Sequence, residues 1–384
     1  MARGLRTDKT RMDRITGGVQ QLGIGGAEMQ FRTALGKFCS FISAVLVLAL
    51  SGLDFSLAAT ANTLDEITKK ANREGRIVVQ MSEPLRGSAA DANRQMAAGL
   101  KKTFGADVKV TIHRARSYPA ATAQVLSEIK AGSPPSWDLM YQTDVTGAPL
   151  YQQNAIERFE WPKLFNWLTN DDLTYGKQGL IAQTRFIFPA YNTNVVKGAD
   201  IPKSWDDVLN PKWKGKIATT PYQDMWAQLA EPQQWGEERV LSFVKKLAAL
   251  EPKLGGIPTL QRMLVSGEVA VSAVYASNYL EADREAGAPV AAVSVEPEIA
   301  FVDVVFVPKG ASRSNAAALM AAWLLSAEGQ RFLEEFYLGS SLFKAGTSAA
   351  KHAAGTKVAI PSLDWQLKNT VRLQQEYEKI LVKR

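Results

Sequence analysis

Strand-like and helical segments alternate through residues 64–142, and this alternation constrains the fold more than any other feature of the chain. The segments RIVVQM at 76–81 and DVKVTIH at 107–113 are short and rich in β-branched residues, which is typical of buried strands. WDLMYQ at 137–142 is a third such segment, and a helical apolar pattern precedes each of the three. This order predicts an α/β sheet with helices on both faces.

Polar side chains follow each of these predicted strands. In open α/β sheets a ligand binds beyond the carboxyl ends of the strands, so the residues at those ends are candidate ligand-binding residues. Ser117 also precedes Tyr118-Pro119 and is the predicted N-cap of the next helix. The candidates at the three strand ends are Ser82, Glu83, Arg86, Arg114, Arg116, Ser117, Thr143 and Asp144.

A second block of strand and helix patterns covers residues 147–296, and no Pro- or Ser-rich linker separates it from the first. The missing linker indicates that two lobes share strands that cross between them. We predict the first part of lobe 1 at 62–146 and mainly lobe 2 at 147–296. A return to lobe 1 is predicted at 297–340, and a C-terminal helical segment at 341–384.

The first 61 residues have the pattern of an export signal with an upstream segment before it. A thirteen-residue apolar run at 38–50 follows Arg32 and Lys37, and A-T-A at 59–61 fits the A-x-A cleavage pattern. The run is shorter than the roughly 20 residues that a membrane span needs. We expect Met29 to be the true start, the signal to be cleaved, and the mature protein to be periplasmic.

Cysteine and histidine are nearly absent, which excludes several kinds of chemistry. Cys39 is the only cysteine, so neither a disulfide within the chain nor a Cys/His zinc site can form. No G-x-S-x-G motif occurs, and neither His113 nor His352 has a visible catalytic setting. An exported hydrolase is therefore the weaker class, and we predict no catalytic residues and no enzyme.

The charge of the chain also argues against nucleic-acid binding. Beyond residue 61 the chain has 38 Lys and Arg against 34 Asp and Glu. The two signs are interleaved, which is typical of a solvated surface and not of a basic nucleic-acid footprint.

Three stretches resemble the type II periplasmic substrate-binding proteins of ABC importers, in the branch that binds iron(III), polyamines, thiamine and phosphonates. They are YNTNVV with IPKSWDDVLNPKWKGKIA in 191–218, QRMLVSGEVAVSAVYASNYLEADREAGAPV at 261–290, and VDVVFVPKGASRSNAAALMAAWLLSAEGQRFLEEF at 302–336. The resemblance implies two α/β lobes, each a mixed sheet flanked by helices, with a ligand cleft between them. It further implies a monomer that delivers a small ligand to an inner-membrane permease and needs no cofactor.

The resemblance leaves iron(III) and polyamines as alternative ligands. In iron(III)-binding relatives two adjacent tyrosines follow G-E-V, whereas Tyr275 and Tyr279 are four residues apart and the matching positions fall on Ser277 and Asn278. We therefore assign no metal-binding residue. In polyamine-binding relatives a carboxylate precedes P-K-G, where Asp303 stands. Asp303 could equally be a carboxylate at a strand crossing, bonded to backbone amides.

The arginines at the strand ends favour a different ligand. Arginine side chains close to a helix N-terminus suit a carboxylate or phosphate group. The second lobe would complete an anion cradle after its GKIATTP segment, through Thr219, Thr220 and Tyr222. The expected ligand is a small organic or phosphorylated anion. The predicted ligand-binding residues of the second lobe and the crossing are Thr220, Tyr222, Tyr275, Asn278, Tyr279 and Asp303.

Overall fold

Eleven strands form one mixed sheet in the computed structural model, which describes residues 63–222 and 224–382. The strands are β1 Arg76–Gln80, β2 Lys109–Ile112, β3 Leu139–Thr143, β4 Leu173–Thr174, β5 Gly179–Asn192, β6 Ile217–Thr219, β7 Lys253–Leu254, β8 Val271–Ala276, β9 Val290–Ala292, β10 Glu298–Phe306 and β11 Val358–Ala359. Their main order is β2-β1-β3-β10-β5-β8-β6-β7. The predicted signal peptide, Cys39 and the start at Met29 lie outside the described residues.

Thirteen α-helices of the described residues cover this sheet. They are α1 Leu64–Glu74, α2 Ala89–Phe104, α3 Tyr118–Lys130, α4 Asp144–Gln152, α5 Trp161–Leu164, α6 Asp224–Leu229, α7 Glu237–Ala249, α8 Ile257–Val265, α9 Ser277–Glu285, α10 Ser314–Leu324, α11 Ala327–Tyr337, α12 Ser348–Gly355 and α13 Leu363–Val382. Within the described ranges, no helix is both long enough and apolar enough to span a membrane.

The parallel strands β1, β2 and β3 form one end of the sheet and belong to lobe 1. β1 pairs with β2 over residues 76–79 and with β3 over residues 79–80. Each α-helix between them begins at a residue that caps it, and the predicted cap Ser117 accepts a hydrogen bond from the Ala120 amide at 3.3 Å. The predicted alternation of helices and strands in an α/β sheet is therefore confirmed.

The long strands β5 and β10 connect the two lobes. They pair with each other in antiparallel fashion, from Ile299 opposite Ile187 to Val305 opposite Leu180. β10 also pairs with β3 in lobe 1, while the second half of β5 pairs with β8 in lobe 2. We call β5 and β10 the hinge strands, since any movement between the lobes must bend them.

The chain leaves lobe 1 later than the predicted boundary at residue 147. Trp161, Phe165 and Leu168 are buried in the same apolar cluster as Ile77 of β1. The aromatic side chains around α5 thus complete the core of lobe 1, and the chain first crosses to lobe 2 along β5. Lobe 2 has its own core, around Trp205, Trp226, Phe243, Val271 and Tyr275.

Helix α13 packs against both lobes. It contacts α4 of lobe 1 and α6 and α7 of lobe 2. On the lobe 1 side, Gln366 donates to Asp144 Oδ2 at 2.9 Å, and the Val145 amide donates to Asp144 Oδ1 at 2.8 Å. Asp144 is 4% exposed, so the predicted ligand-binding carboxylate is covered by the C-terminal helix.

Close packing of α2 on α10 depends on a glycine. A Cβ atom on Gly99 would lie 2.3 Å from the ring of Trp323, which is fully buried. We expect Gly99→Ala to lower the free energy of unfolding by about 1–3 kcal/mol, because the core cannot accommodate the methyl group without moving the indole. Urea denaturation followed by circular dichroism measures this change in the free energy of unfolding.

Gly355→Ala is the matched control for this substitution. A Cβ atom at Gly355 would meet no atom within 4 Å, so we expect a change of no more than about 0.5 kcal/mol. Equal effects of the two substitutions would contradict the packing argument.

Burial of Asp144 also makes stability depend on pH. Burial raises the pKa of Asp144 to about 7, although the hydrogen bonds from Gln366 and Val145 lower it. The folded protein therefore holds this proton at pH values where the unfolded chain, with a pKa of about 3.9, has released it. The contribution of this protonated carboxyl group to the free energy of unfolding is fully present below about pH 4, and it is lost as the pH rises to about 7.

We expect Asp144→Asn to gain stability relative to the wild type as the pH rises from about 4 to about 7, by at most about 1.4 kcal/mol per pH unit. Above pH 7 the difference should stay constant. Urea denaturation at pH 4.5, 6 and 8 measures it, with Asp206→Asn as the control at an exposed aspartate. A difference that shrinks as the pH rises would refute the argument.

Candidate functional site

A buried ion pair lies on the hinge strands between the lobes. Arg185 of β5 donates from Nε to Asp303 Oδ2 at 2.7 Å and from Nη2 to Asp303 Oδ1 at 2.6 Å. The strand register puts both side chains on one face of the sheet, since Arg185 is opposite Phe301 and Asp303 is opposite Gln183. Asp303 is therefore the partner of an arginine that sequence reasoning missed, and not of backbone amides.

The Arg185 guanidinium keeps donors that are not used by Asp303. Arginine has five N–H groups, and the bidentate contact uses two of them. The side chain is 23% exposed, whereas Asp303 is 1% exposed. Across residues 63–222 and 224–382 Arg185 makes no other hydrogen bond, so three N–H groups are available to a ligand.

Four tyrosines lie within the electrostatic reach of Arg185: Tyr141, which is buried, and three that are at least partly exposed. Burial raises the pKa of the hydroxyl groups of Tyr118, Tyr222 and Tyr279, and the guanidinium lowers it in each case. Tyr118 belongs to α3 of lobe 1, whereas Tyr279 belongs to α9 of lobe 2, and Tyr279 adds a small rise to the pKa of Tyr118 that burial has already raised. Hydroxyl groups from both lobes therefore interact electrostatically with Arg185 and are protonated at neutral pH, when they can donate hydrogen bonds.

A carboxylate from lobe 2 also lies within the electrostatic reach of Arg185. Burial raises the pKa of Asp224, at the start of α6, to about 6, and Arg185 lowers it. Asp224 Oδ1 accepts a hydrogen bond from the Met225 amide at 3.1 Å. Asp224 forms no ion pair with the described residues, so near pH 7 it is an unpaired carboxylate that interacts with the guanidinium only at longer range.

Of the candidates after β1, Ser82 lies nearest to this cluster. Its side chain reaches the Tyr118 hydroxyl and lowers the pKa that burial has raised. Glu83 is exposed. Arg86 instead connects the lobes at their surface, because its Nε donates to Glu285 Oε2 at 2.7 Å at the end of α9.

The arginines after β2 remain separate from Arg185. Arg114 and Arg116 are both exposed, and neither makes an ion pair or hydrogen bond with a described residue. Their role in anion binding stays a prediction.

The anion cradle expected from lobe 2 is only partly accessible. Thr219 and Thr220 are fully buried, and Thr220 donates to the Tyr222 carbonyl at 2.6 Å. Tyr222 is 37% exposed and is the member of the cradle that can touch a solute. β6 lies between β8 and β7, so the threonines at its end are covered on both sides.

Two further candidates are structural in this conformation. Tyr275 is fully buried and donates to Asp283, because β8 is an inner strand between β5 and β6. Thr143 caps α4 by accepting from the Thr146 amide at 3.2 Å. Asn278 is 8% exposed, and its Oδ1 has no hydrogen-bond partner among the described residues. The sequence signal for Arg185 was a charge at the start of the segment RFIFPA, which otherwise has the pattern of an ordinary strand.

Comparisons with known proteins agree with this architecture. A curated Haemophilus influenzae protein described as uncharacterized is 30% identical over 142 residues, which are 34% of this chain and 39% of that relative. Iron-bound HitA from Pseudomonas aeruginosa has a TM-score of 0.64 at 17% identity, over 79% of this chain and 99% of that one. The substrate-binding protein of an ABC transporter from Agrobacterium tumefaciens has a TM-score of 0.63 at 14% identity, over 80% of this chain and 94% of that one.

These structural likenesses show the fold, in which two α/β lobes flank a cleft. The family is assigned from the sequence, because residues 95–358 match the profile described as bacterial extracellular solute-binding protein. The chain belongs to the bacterial extracellular solute-binding protein family.

Proposed function

We propose that the protein is a periplasmic receptor that binds a small anionic solute between its lobes and delivers it to the permease of an ABC importer. Membership of the solute-binding family supports the receptor role. The hinge strands support closure of the lobes around a solute, as in other two-lobed binding proteins. The Arg185 guanidinium, with three unused N–H groups at the crossing, is the observation that carries the ligand class.

An oxyanion matches the donors around Arg185. A carboxylate or phosphate oxygen can accept from the unused edge of the guanidinium, and a planar fork favours such a pair geometrically. The protonated hydroxyl groups of Tyr118, Tyr222 and Tyr279 add donors from both lobes. Contacts from both lobes are what allow a ligand to stabilise the closed conformation over the open one.

Iron(III) is the second candidate, and the three tyrosines favour it. Phenolate oxygen suits a hard trivalent cation, which would have to displace the hydroxyl protons. Iron-bound HitA has the same fold. Two observations argue against it, since burial raises the pKa of all three hydroxyl groups and the guanidinium repels a cation. A polyamine is less favoured still, because Asp303 is already paired with Arg185.

We expect the wild-type protein to give a higher Tm with at least one small carboxylate or phosphate ester in a thermal-shift panel, and to carry an anion that mass spectrometry detects on release. Arg185→Lys should weaken binding of that anion by about 10- to 100-fold, because lysine keeps the charge but loses the bidentate fork. Isothermal titration calorimetry measures the affinity of each variant for that anion.

Arg372→Lys is the matched control, since Arg372 pairs with Glu237 on the surface at 2.6 Å. It should leave the affinity unchanged. Arg116→Ala tests the other predicted anion site. If Arg116→Ala abolished binding while Arg185→Lys did not, the anion would bind at the exposed loop after β2 and the proposal would fail.

Ferric citrate should give no visible phenolate-to-iron colour with the purified protein, because the three tyrosines remain protonated beside Arg185. The visible absorption spectrum of the protein, recorded before and after dialysis, measures this colour. A stable coloured complex that Tyr279→Phe abolishes would replace the anion with iron as the ligand.

A further inference from the structure

A small cavity lies between α4 of lobe 1 and the C-terminal helix α13. Its lining belongs to these two helices alone, and its volume is about 60 Å³. A volume of this size holds about two water-sized particles, so an organic solute does not fit. Gln152 and Val371 at its edge are exposed, which gives the cavity a path to solvent. Neither Arg185 nor Asp303 lines it, so the cavity is separate from the candidate site on the hinge strands.

Two side-chain oxygens of α13 lie at this cavity without a hydrogen-bond partner among the described residues. They are Gln366 Oε1 and Thr370 Oγ1, which lie four positions apart on one face of the helix. Gln366 is 6% exposed and Thr370 is 1% exposed. Buried polar atoms nearly always have a partner, so these two oxygens indicate an occupant of the cavity.

The hydrogen bonds of Gln366 fix which end of its amide lacks a partner. Its Nε2 donates to Asp144 Oδ2 at 2.9 Å and to the Pro361 carbonyl at 3.1 Å. Both partners are acceptors, so the amide cannot be turned around without losing these bonds. Gln366 Oε1 is therefore an acceptor that the described part of the chain leaves without a donor.

Asp144 of α4 adds a carboxyl group to the same cavity. It is 4% exposed, and it accepts only from the Val145 amide and the Gln366 amide, which are both neutral. Within residues 63–222 and 224–382 it forms no ion pair. A buried carboxylate without a cation is costly. One carboxylate and two neutral oxygens thus line one small space, joined by the hydrogen bond between Asp144 and Gln366.

The charge and size of this space select the kind of occupant. A water molecule would donate to the free oxygens, but it would not offset the charge of Asp144. A small cation would do both, because hard cations bind carboxylate, amide and hydroxyl oxygens. Calcium sites usually supply several carboxylates and six to eight oxygens in all. The single carboxylate matches a single positive charge instead.

We propose that the cavity binds a monovalent alkali cation, Na⁺ or K⁺, through Asp144, Gln366 Oε1 and Thr370 Oγ1. The same helix contributes Leu373 and Tyr377 to the core of lobe 2. A cation held between α4 and α13 therefore fastens this helix to lobe 1 and stabilises the folded protein. The site is a second one, independent of the solute that binds between the lobes.

Melting temperatures in different salts test the site on the wild-type protein. They are measured in sodium, potassium and choline chloride at one ionic strength and at about pH 8, where few protons compete for the carboxylate. Choline is too large for a cavity of about 60 Å³. We expect Tm to be about 2–4 °C higher in sodium or potassium chloride, once the cation exceeds its Kd by about tenfold. Broadening of the sodium NMR signal by the protein, and its reversal by potassium, compares the two ions directly.

Thr370→Val removes one proposed ligand with little change in volume. In choline chloride the variant should be at least as stable as the wild type, because a buried hydroxyl without a partner is removed. In the alkali salts it should lose most of the gain in Tm, and Asp144→Asn should lose all of it. Thr347→Val is the matched control, because the Thr347 hydroxyl is buried and donates to the Ser341 carbonyl at 2.8 Å. It should lower Tm equally in all three salts.

Two results would overturn the inference. Equal melting temperatures of the wild type in the three chlorides, without broadening of the sodium signal, would mean that water alone occupies the cavity. A gain in Tm that persists in both Thr370→Val and Asp144→Asn would mean that the cation binds elsewhere. Neither result affects the receptor proposal, which calorimetry with anions tests at Arg185.

Discussion

The Arg185–Asp303 ion pair is the interaction on which the candidate site depends. Transfer of either charge into the protein alone would be costly, and the bidentate contact offsets that cost for both. Asp303 is inaccessible, so its role is to hold the guanidinium in one orientation. Because the two residues belong to the two hinge strands, the exposed edge of Arg185 stays between the lobes. The tyrosines and Asp224 thus interact electrostatically with a group that the scaffold itself has fixed.

Much of the fold follows from local sequence patterns. The alternation in 64–142 indicated an α/β sheet with helices on both faces, the cap at Ser117 indicated where α3 begins, and the missing linker indicated crossing strands. The lobe boundary could not be read in this way. Trp161 and Phe165 are aromatic residues in a short helix, and only packing decides which lobe they complete. Tertiary contacts also make α13 a bridge between the lobes, although its sequence indicates only a helix.

The site was less predictable because side-chain direction decides it. Tyr275 and Tyr279 are four residues apart, but the junction between β8 and α9 falls between them, so one is in the core and the other near Arg185. Asp303 was a candidate ligand-binding residue because it is a charge in an apolar strand. Arg185 is the same kind of anomaly two strand positions from its partner, and it becomes visible only when the antiparallel register is known. Thr219 and Thr220, which were expected to contact a ligand, are buried because β6 is covered on both sides.

The hinge strands and α13 also set the order in which the protein can become folded. Lobe 1 needs β10, α10 and α11, which extend to Tyr337, although its first strand begins at Arg76. Lobe 2 needs Leu373 and Tyr377 of α13 in its core. Neither lobe can therefore be completed by an N-terminal fragment, and the decisive pairings join residues more than a hundred positions apart. Such non-local pairings slow folding, so the chain stays without stable tertiary structure until almost all of it is available.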